Sequence, residues 1–284
     1  MKDKICIITG SSSGIGKETA KALAKMGAHI VMVCRSMERG LIAKNEIEEF
    51  SESKKVDLLI ADLSSLHQIN SLSQKISNNY PHIDILINNA GNFYLSHLYN
   101  DEGIEMSFAV NYLAPFYLSN LLLPKLLLAK QGRIINVTSR NQSFWKIDMD
   151  YYDYKYGVYN GLQAYSNAKL MTIIFTQELA KRLRDTNITV NALHPGDVKT
   201  SIGMRDNKII YKTIWLFLRL FNISVEKGAE NSIYLATSKE LENITGQYFV
   251  KNKIAKYNPI ADQVGIGNKL WDYTQRIIDK HENL

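Results

Sequence analysis

Cysteine is scarce in this chain, and the scarcity narrows the class of protein. Only Cys6 and Cys34 occur among 284 residues, and each lies in an apolar, strand-like run. Two thiols in such surroundings are typical of core packing, and they exclude the dense disulfide framework of small secreted domains. We therefore expect a protein of a reducing compartment, in the cytoplasm.

Hydrophobic runs of membrane-spanning length are missing as well. The apolar stretch 113–129 is broken by two prolines and a lysine, and the stretch 214–223 contains Arg219. A spanning helix needs about 20 consecutive apolar residues, which neither stretch supplies. The N-terminal apolar run is too short for a signal peptide. We expect a soluble protein without an N-terminal anchor, and peripheral contact with a membrane stays open.

Charge of one sign is nowhere concentrated. The 34 Lys and Arg outnumber the 28 Asp and Glu by 6, and these residues are scattered along the chain. Without a dense basic run, we expect no nucleic-acid partner. Cys-x-x-Cys pairs and histidine clusters are also lacking, so we expect no metal site. No repeat, low-complexity tract or linker divides the chain, which favours a single domain over residues 1–284.

Short apolar runs rich in β-branched residues alternate with longer helical patterns. Most of the short runs are continuously apolar, as in strands that a parallel sheet buries on both faces. The predicted strands are 4–9, 29–34, 56–61, 83–88, 133–138, 188–193 and 246–250. The predicted helices are 15–26, 38–51, 65–78, 101–128, 164–184 and 226–237. This alternation predicts an α/β fold, a doubly wound parallel sheet of about seven strands flanked by helices.

A glycine turn follows the first strand, in "TGSSSGIGKETA". Gly10, Gly14 and Gly16 allow a tight turn, and they let a pyrophosphate approach the backbone N–H groups at the start of a helix. Because the turn stands between a strand and a helix at the head of an alternating chain, it indicates dinucleotide binding rather than a merely flexible loop.

The spacing of these glycines resembles the short-chain dehydrogenase/reductase family, and further motifs extend the resemblance over nearly the whole chain. These are "ADL" (61–63), "NNAG" (88–91), "VNY" (110–112), "NVTS" (136–139), "YSNAK" (165–169) and "HPGDVKT" (194–200). The resemblance implies a Rossmann-type domain that binds NAD(H) or NADP(H). It implies as cofactor-binding residues Gly10, Ser12, Ser13, Gly14, Ile15, Gly16, Asp62, Leu63, Asn89, Ala90, Gly91, Tyr165, Lys169, Pro195, Gly196, Val198 and Thr200.

The end of the second strand indicates which dinucleotide is preferred. NAD-binding domains often place an acid there for the ribose hydroxyls, whereas this strand ends in Cys34, Arg35 and Ser36. A guanidinium can pair with the 2′-phosphate, although an arginine at this place could also be merely solvated. We expect Arg35 and Ser36 to contribute to the cofactor site, with NADP(H) preferred and NAD(H) as the alternative.

Two Tyr-x-x-x-Lys pairs compete for the role of proton-transfer device. Tyr165 and Lys169 stand in a strong helical pattern, where residues four apart share one face. Tyr151 and Lys155 stand in a Tyr-, Asp- and Gly-rich segment without apolar periodicity, which indicates a loop. Compact members of the family would have their tyrosine near position 151, but this chain is longer after Ser139 and resembles the retinol dehydrogenase-like branch. We therefore select Tyr165 and Lys169.

The resemblance implies four catalytic residues, Asn111, Ser139, Tyr165 and Lys169. Tyr165 would act as acid and base, and the Lys169 ammonium together with the oxidised nicotinamide should bring the tyrosine pKa down toward the working pH. Ser139 would stabilise the charge that develops on the substrate oxygen. Asn111, in an apolar helical pattern, would support a water relay to Lys169. The resemblance makes His194 structural.

The function these features predict is NADP(H)-dependent interconversion of an alcohol and a ketone or aldehyde. A non-catalytic dinucleotide sensor is the main alternative, and a sugar epimerase fits the chain length and turn spacing less well. The very apolar segment 208–222 predicts a lid over a lipophilic substrate, within a variable region at about 201–225, although core packing explains it nearly as well. By family analogy, the helices near 101–128 and 164–184 pair with those of a second copy in a homodimer.

Overall fold

A single mixed sheet organises the protein. The computed structural model describes residues 1–143, 158–197 and 224–282. Over these residues the strands are β1 (Ile5–Thr9), β2 (His29–Cys34), β3 (Val56–Ile60), β4 (Ile85–Asn88), β5 (Gly132–Val137), β6 (Ile188–His194), β7 (Tyr248–Val250) and β8 (Lys253–Ile254). They lie in the order β3-β2-β1-β4-β5-β6-β7-β8, and all neighbours are parallel except β7 and β8.

Helices cover both faces of this sheet. They are α1 (Gly14–Lys25), α2 (Met37–Ser51), α3 (Leu66–Asn79), α4 (Met106–Phe108), α5 (Ala114–Leu127), α6 (Gly161–Arg182), α7 (Val225–Thr237) and α8 (Ile266–Glu282). One core layer packs α3, α5, α6 and α8 against the sheet, and the other packs α1, α2 and α7. The central strands β1, β4 and β5 are buried along their whole length, which explains their continuously apolar sequences.

The sheet reverses its strand order between β1 and β4, and this reversal determines where a ligand can bind. β1 pairs with β2 on one side and with β4 on the other, so the connections after β1 and β4 diverge to opposite faces. In open α/β sheets a crevice forms outside the carboxyl ends of the strands at this point. The glycine turn after β1 and the segment after β4 therefore line one cleft.

The predicted architecture is confirmed, with two differences in the elements. A short antiparallel strand, β8, adds to the seven predicted strands. The predicted helix 101–128 begins only at Met106, because residues 99–105 form a turn closed by a bridge between Tyr99 and Glu105. A π-helical turn, Ala109–Leu113, then separates α4 from α5.

The C-terminal helix α8 was not predicted, and it covers α5 and α6. The Trp271 ring lies 4.7 Å from the Phe116 ring on α5, centroid to centroid, and the Arg182 guanidinium of α6 lies 4.0 Å from the Trp271 ring centroid. Tyr112 Oη and Thr274 Oγ1 are 2.6 Å apart, so α8 also contacts the π-helical turn. No helix among the described residues is long and apolar enough to cross a membrane.

Candidate active site

The turn after β1 is built so that only glycine fits at its key points. Gly10 and Gly14 have φ of +67° and +61°, in the left-handed region that other residues rarely adopt. A Cβ on Gly10 would lie 2.8 Å from Ala90 Cα, and a Cβ on Gly16 would lie 2.6 Å from the Gly10 carbonyl oxygen. These close approaches hold the start of α1 against the segment after β4.

Thr9 joins this turn to the segment after β4. Its hydroxyl oxygen accepts hydrogen bonds from the backbone N–H groups of Asn89 and Ala90, at 3.0 and 2.9 Å. In return, the Asn89 side-chain amide donates to the Thr9 carbonyl at 2.8 Å. Sequence reasoning noted Thr9 beside the turn but gave it no role. Its signal was its place at the end of the strand that carries the glycines.

The two segments open onto a cleft of about 420 Å³ at the carboxyl ends of the strands. Most of the residues that were expected to bind the cofactor line this cleft. They are Gly10, Ser12, Ser13, Gly14, Ile15, Arg35, Asp62, Leu63, Asn89, Ala90, Gly91, Tyr165, Lys169 and Pro195. Gly16, Ser36 and Gly196 are not among the lining residues, although Gly196 directly follows the lining Pro195, with φ of +94°. Val198 and Thr200 lie outside the described residues.

One end of the cleft carries two arginines. Arg35 follows β2, and its guanidinium lies 3.8 Å from the Asp62 carboxylate with about half of its side chain exposed. Ser36 caps α2 by accepting the Arg39 N–H at 3.4 Å, which places Arg39 in the first turn of the helix. Arg39 lines the same cleft, and sequence reasoning missed it. Its signal was the four-residue spacing from Arg35 across a helix cap.

At the other end of the cleft, α6 presents Tyr165 and Lys169. Asn160 fixes the start of this helix, because its side-chain oxygen accepts the N–H groups of Leu162 and Gln163. Gly161 packs so tightly on the loop after β4 that a Cβ would collide with the Tyr94 carbonyl oxygen. The contact between the first turn of α6 and this loop therefore fixes the position of α6, and with it the position of Tyr165 in the cleft.

The Tyr165 phenol and the Ser139 side chain are hydrogen-bonded. Burial raises the pKa of Tyr165 to about 12, and the hydrogen bond from the Ser139 side chain lowers it. Ser139 follows β5, and its hydroxyl oxygen also accepts the Asn141 N–H at 3.3 Å. The Phe93 ring meets the Tyr165 ring edge-on, with centroids 5.5 Å apart, so apolar surface closes one side of the phenol.

Lys169 is buried beneath this pair. Only 4% of the residue is exposed, and burial lowers its pKa to about 8. Its Nζ donates to the Val137 carbonyl at 2.9 Å and lies 5.8 Å from the Tyr165 ring centroid. Burial of the phenol thus shifts the Tyr165 pKa in the direction opposite to the fall expected from Lys169 and the oxidised nicotinamide.

Asn111 lies in the π-helical turn, directly below the cleft. Its side-chain oxygen accepts the Asn92 N–H at 3.1 Å, and its amide donates to the Asn92 and Ser107 carbonyls at 2.9 and 3.0 Å. A Cβ on Gly91 would lie 2.9 Å from the Asn111 side-chain oxygen and 3.3 Å from Lys169 Nζ. The Asn111 and Lys169 side chains therefore both lie close to Gly91.

The competing pair Tyr151 and Lys155, together with segment 208–222, lies outside the described residues. Across residues 1–143, 158–197 and 224–282, no group of three His, Cys, Asp or Glu side chains could hold a metal ion.

Comparisons with known proteins agree with this geometry. The family model for short chain dehydrogenase matches residues 4–209. Retinol dehydrogenase 13 of Mus musculus is 36% identical over 97% of this chain and 84% of that protein. Retinol dehydrogenase 14 of Homo sapiens is 36% identical over 98% of this chain and 87% of that protein.

Solved structures share the fold at lower sequence identity. An uncharacterized protein of Mycobacterium paratuberculosis has a TM-score of 0.79 at 23% identity, covering 98% of this chain and 94% of that one. A short chain dehydrogenase of Escherichia coli CFT073, complexed with NADPH, has a TM-score of 0.68 at 23% identity, covering 88% and 96%. The chain therefore belongs to the short chain dehydrogenase family as a retinol dehydrogenase-like member, and it is an NAD(P)-dependent dehydrogenase acting on CH–OH groups.

Proposed function

We propose that this protein is an NADP(H)-dependent oxidoreductase that interconverts an alcohol and the ketone or aldehyde of a lipophilic compound, with Tyr165 as its acid and base. The observation that carries the proposal is that Tyr165, hydrogen-bonded to Ser139, and Lys169 line the same cleft as Arg35 and Arg39. A dinucleotide is long enough to connect two such ends.

The residues present fit such a cofactor. The turn with positive-φ Gly10 and Gly14 leads from β1 into the N-terminus of α1 at the cleft, where backbone N–H groups and the helix dipole favour a pyrophosphate. β2 is followed directly by Arg35 and Ser36 rather than by an acid, and Arg35 and Arg39 both line the cleft, which supports pairing of a 2′-phosphate with their guanidinium groups. This end of the cleft favours NADP(H) over NAD(H).

The chemistry divides between the cofactor and the protein. When bound, the nicotinamide supplies or accepts the hydride. In the direction of reduction, Tyr165 gives the proton that the substrate oxygen needs, and its raised pKa keeps the phenol protonated near neutrality. Ser139 is placed to donate to the same oxygen while negative charge develops there.

Lys169 and Asn111 support the phenol from below. Each time Tyr165 gives up its proton, the ammonium of Lys169 stabilises the phenolate left behind. The Val137 carbonyl keeps Nζ within reach of the tyrosine, and Asn111 fixes the Asn92 backbone beside it. We propose by family resemblance that Lys169 also binds the ribose hydroxyls and that Asn111 supports the water relay.

A non-catalytic dinucleotide sensor is the second candidate. A sensor would need the glycine turn and the arginines, but it would have no use for a buried lysine under a hydrogen-bonded Ser–Tyr pair. Burying Lys169 lowers its pKa and destabilises the fold, so a sensor would be free to lose it. The chain retains all three residues, which favours catalysis.

The lipophilic substrate is proposed from the sequence, because segment 208–222 lies outside the described residues. The named relatives are retinol dehydrogenases, which supports an apolar alcohol or aldehyde. The cytoplasmic location stays a prediction. α8 covers the helices that were predicted to pair with a second copy, which weighs against a dimer through that surface.

The proposal is tested by incubating the purified chain with a panel of aldehydes and ketones of increasing chain length and following NADPH oxidation. We expect turnover that rises with the length of the apolar tail, because remote binding energy then acts in the transition state. Equal kcat/KM values for short and long compounds would contradict a lipophilic substrate. Binding of NADPH without turnover of any compound would favour the sensor.

A further inference from the structure

A buried histidine connects the loop that carries Ser139 to the loop that follows β6. His194 is the last residue of β6, and only 3% of it is exposed. Its Nδ1 accepts the backbone N–H of Arg140 at 3.2 Å, so the peptide group that follows Ser139 is fixed by an imidazole from the neighbouring strand. The ring proton is then on Nε2, which faces the Asp197 carboxylate at 3.9 Å and has no hydrogen-bond partner among the described residues.

The peptide that His194 holds is the one that orients the serine. Arg140 begins a short 3-10 helix, Arg140–Ser143, and Ser139 precedes it, with its hydroxyl oxygen accepting the Asn141 N–H. At the far end of this turn, the Gln142 side chain accepts the Asn258 N–H at 2.9 Å. With the near end bound to His194 and the far end bound to Asn258, the backbone at Ser139 has little freedom to rotate.

The histidine itself is held firmly. Its carbonyl oxygen accepts the Asn231 side-chain amide of α7 at 3.1 Å. The residue before it, Leu193, accepts both the N–H and the hydroxyl of Thr138, at 2.7 and 3.1 Å, which joins the ends of β5 and β6. Because these hydrogen bonds hold the end of β6, the His194 imidazole can keep the neighbouring loop in one position.

We propose that His194 is a positioning residue for catalysis, whose neutral Nδ1 holds the Ser139–Arg140 peptide and so aims the Ser139 hydroxyl at Tyr165 and the substrate oxygen. This inference rests on the proposed function. It gives the histidine of the "HPG" sequence a role in turnover, and it predicts that an acceptor at the Nδ1 position is what turnover needs.

The charges around the ring keep it in the required form. Burial lowers the pKa of His194 to about 4, Asp197 raises it, and Arg140 lowers it further. The Arg140 guanidinium also lies 3.9 Å from the Asp197 carboxylate, so the two charges partly offset each other. The ring is therefore neutral at physiological pH, and its Nδ1 lone pair is available to the Arg140 N–H.

Three variants distinguish loss of the hydrogen-bond acceptor at Nδ1 from loss of the volume of the His194 ring. His194→Asn keeps an acceptor close to the position of Nδ1, His194→Leu fills the space without one, and Asn191→Ala removes buried hydrogen bonds from the same strand away from the serine loop. We expect His194→Leu to lower kcat at least tenfold while the Kd for NADPH stays within threefold. His194→Asn and Asn191→Ala should stay within about threefold of the parent kcat.

A double-mutant cycle distinguishes positioning from general stability. In a Ser139→Ala background, His194→Leu should lower kcat by less than twofold further, because the group it aims is gone. Amide hydrogen exchange of peptides spanning 138–143, measured without dinucleotide, should rise in His194→Leu and stay low in His194→Asn. This readout does not depend on turnover.

The outcomes are separable. A silent His194→Leu beside an inactive Ser139→Ala would overturn the role of His194 and leave the proposed function intact. Losses that multiply fully in the double variant would also overturn it, because the histidine would then act by stability alone. If Ser139→Ala keeps the parent kcat, the role of Ser139 fails and this inference fails with it, whereas the absence of any NADPH-dependent turnover in the parent protein would overturn the proposed function itself.

Discussion

At the residue scale, burial of Lys169 carries a cost in stability. Only 4% of the residue is exposed, and its ammonium donates to the Val137 carbonyl. The pKa falls from 10.5 to about 8, so the native state holds this proton more weakly than the unfolded chain does. A shift of one pKa unit corresponds to ~1.4 kcal/mol, so at neutral pH burial of the charged lysine lowers the stability of the folded state by roughly 3 kcal/mol. Active sites often retain such costs because the chemistry needs them.

Lys169→Met should therefore stabilise the protein and inactivate it. We expect the free energy of unfolding at pH 7 to rise by roughly 1–3 kcal/mol, because Met fills the space without a buried charge. Turnover should fall at least ~10²-fold. The advantage in stability should shrink between about pH 8 and 10.5, where the parent lysine loses its proton in the folded state first. Denaturant unfolding at several pH values measures both effects, and a less stable variant at pH 7 would contradict the expectation.

Arg35 should decide the choice between the two dinucleotides. Arg35→Asp removes a guanidinium at the 2′-phosphate and places a carboxylate where ribose hydroxyls would lie, so we expect the Kd for NADPH to rise at least tenfold and NADH to become preferred. Lys17→Ala is the matched control, because Lys17 pairs with Glu46 and does not line the cleft. Equal affinity of the parent protein for NADH and NADPH would contradict the preference.

At the element scale, the first turn of α6 determines where the tyrosine lies. Gly161 leaves no room for a Cβ, because the Tyr94 carbonyl oxygen and Leu95 Cα occupy the space. Both obstacles are backbone atoms, so Gly161→Ala must move either α6 or the loop after β4. We expect kcat to fall at least tenfold, since a shift of about 1 Å at a reacting group can cost ~10²-fold.

A matched glycine checks this prediction. Gly103 also lies in the loop before α4, and no atom lies within 4 Å of where its Cβ would be, although its φ of +73° strains any other residue. Gly103→Asn should therefore cost some stability and leave kcat within a few-fold. Steady-state kinetics and thermal unfolding of both variants give the comparison. Unchanged kcat in Gly161→Ala would show that the contact with Tyr94 does not determine the position of Tyr165 in the cleft.

The sequence predicted the elements with strong patterns and missed those that tertiary contacts define. The strand β2 was predicted with its observed bounds, because a buried parallel strand is a continuous apolar run. The π-helical turn was not predicted, since it depends on where Asn111 meets Asn92 in space. The helix α8 carries the apolar residues Leu270, Trp271 and Ile278 at helical spacing, with the buried Thr274 between them, but it lies beyond the last family motif and was not predicted.

The candidate site shows the same division. Motifs predicted the residues at the cleft, because glycines, an amide and a Tyr-x-x-x-Lys pair have recognisable spacing. Arg39 and Thr9 were missed because their roles follow from a helix cap and from a bond between two strand ends. The raised pKa of Tyr165 was not predicted, because burial of the phenol cannot be judged from the sequence.

At the scale of the whole molecule, α8 changes the expectation about assembly. The family analogy predicts a dimer through α5 and α6, but Trp271, Leu270 and Ile278 pack there from within the same chain. The face of α8 that points away from the core is polar and exposed, and it includes Asp272 and Arg276. Such a surface lacks the apolar core that a stable interface needs.

We therefore expect sedimentation velocity to show a monomer at micromolar concentration. Trp271→Ala should destabilise the protein by about 3–5 kcal/mol, because it opens a cavity between α5 and α6. It should also raise the tendency to self-associate, because it exposes Phe116 and Phe175. A stable dimer of the parent chain that survives dilution would contradict the monomer and restore the family analogy.

The identity of the proton-transfer tyrosine is the point on which the proposed chemistry depends. Tyr165→Phe removes one hydroxyl from a buried ring and keeps its edge-on contact with Phe93, so the protein should fold and still bind NADPH. Turnover of the best carbonyl substrate at saturating NADPH should fall by ~10²–10⁴-fold, because Ser139 is too weak an acid to replace the phenol. Tyr151→Phe, the matched control from the competing pair, should stay within a few-fold of the parent. Loss of turnover in Tyr151→Phe with normal turnover in Tyr165→Phe would contradict the proposed mechanism.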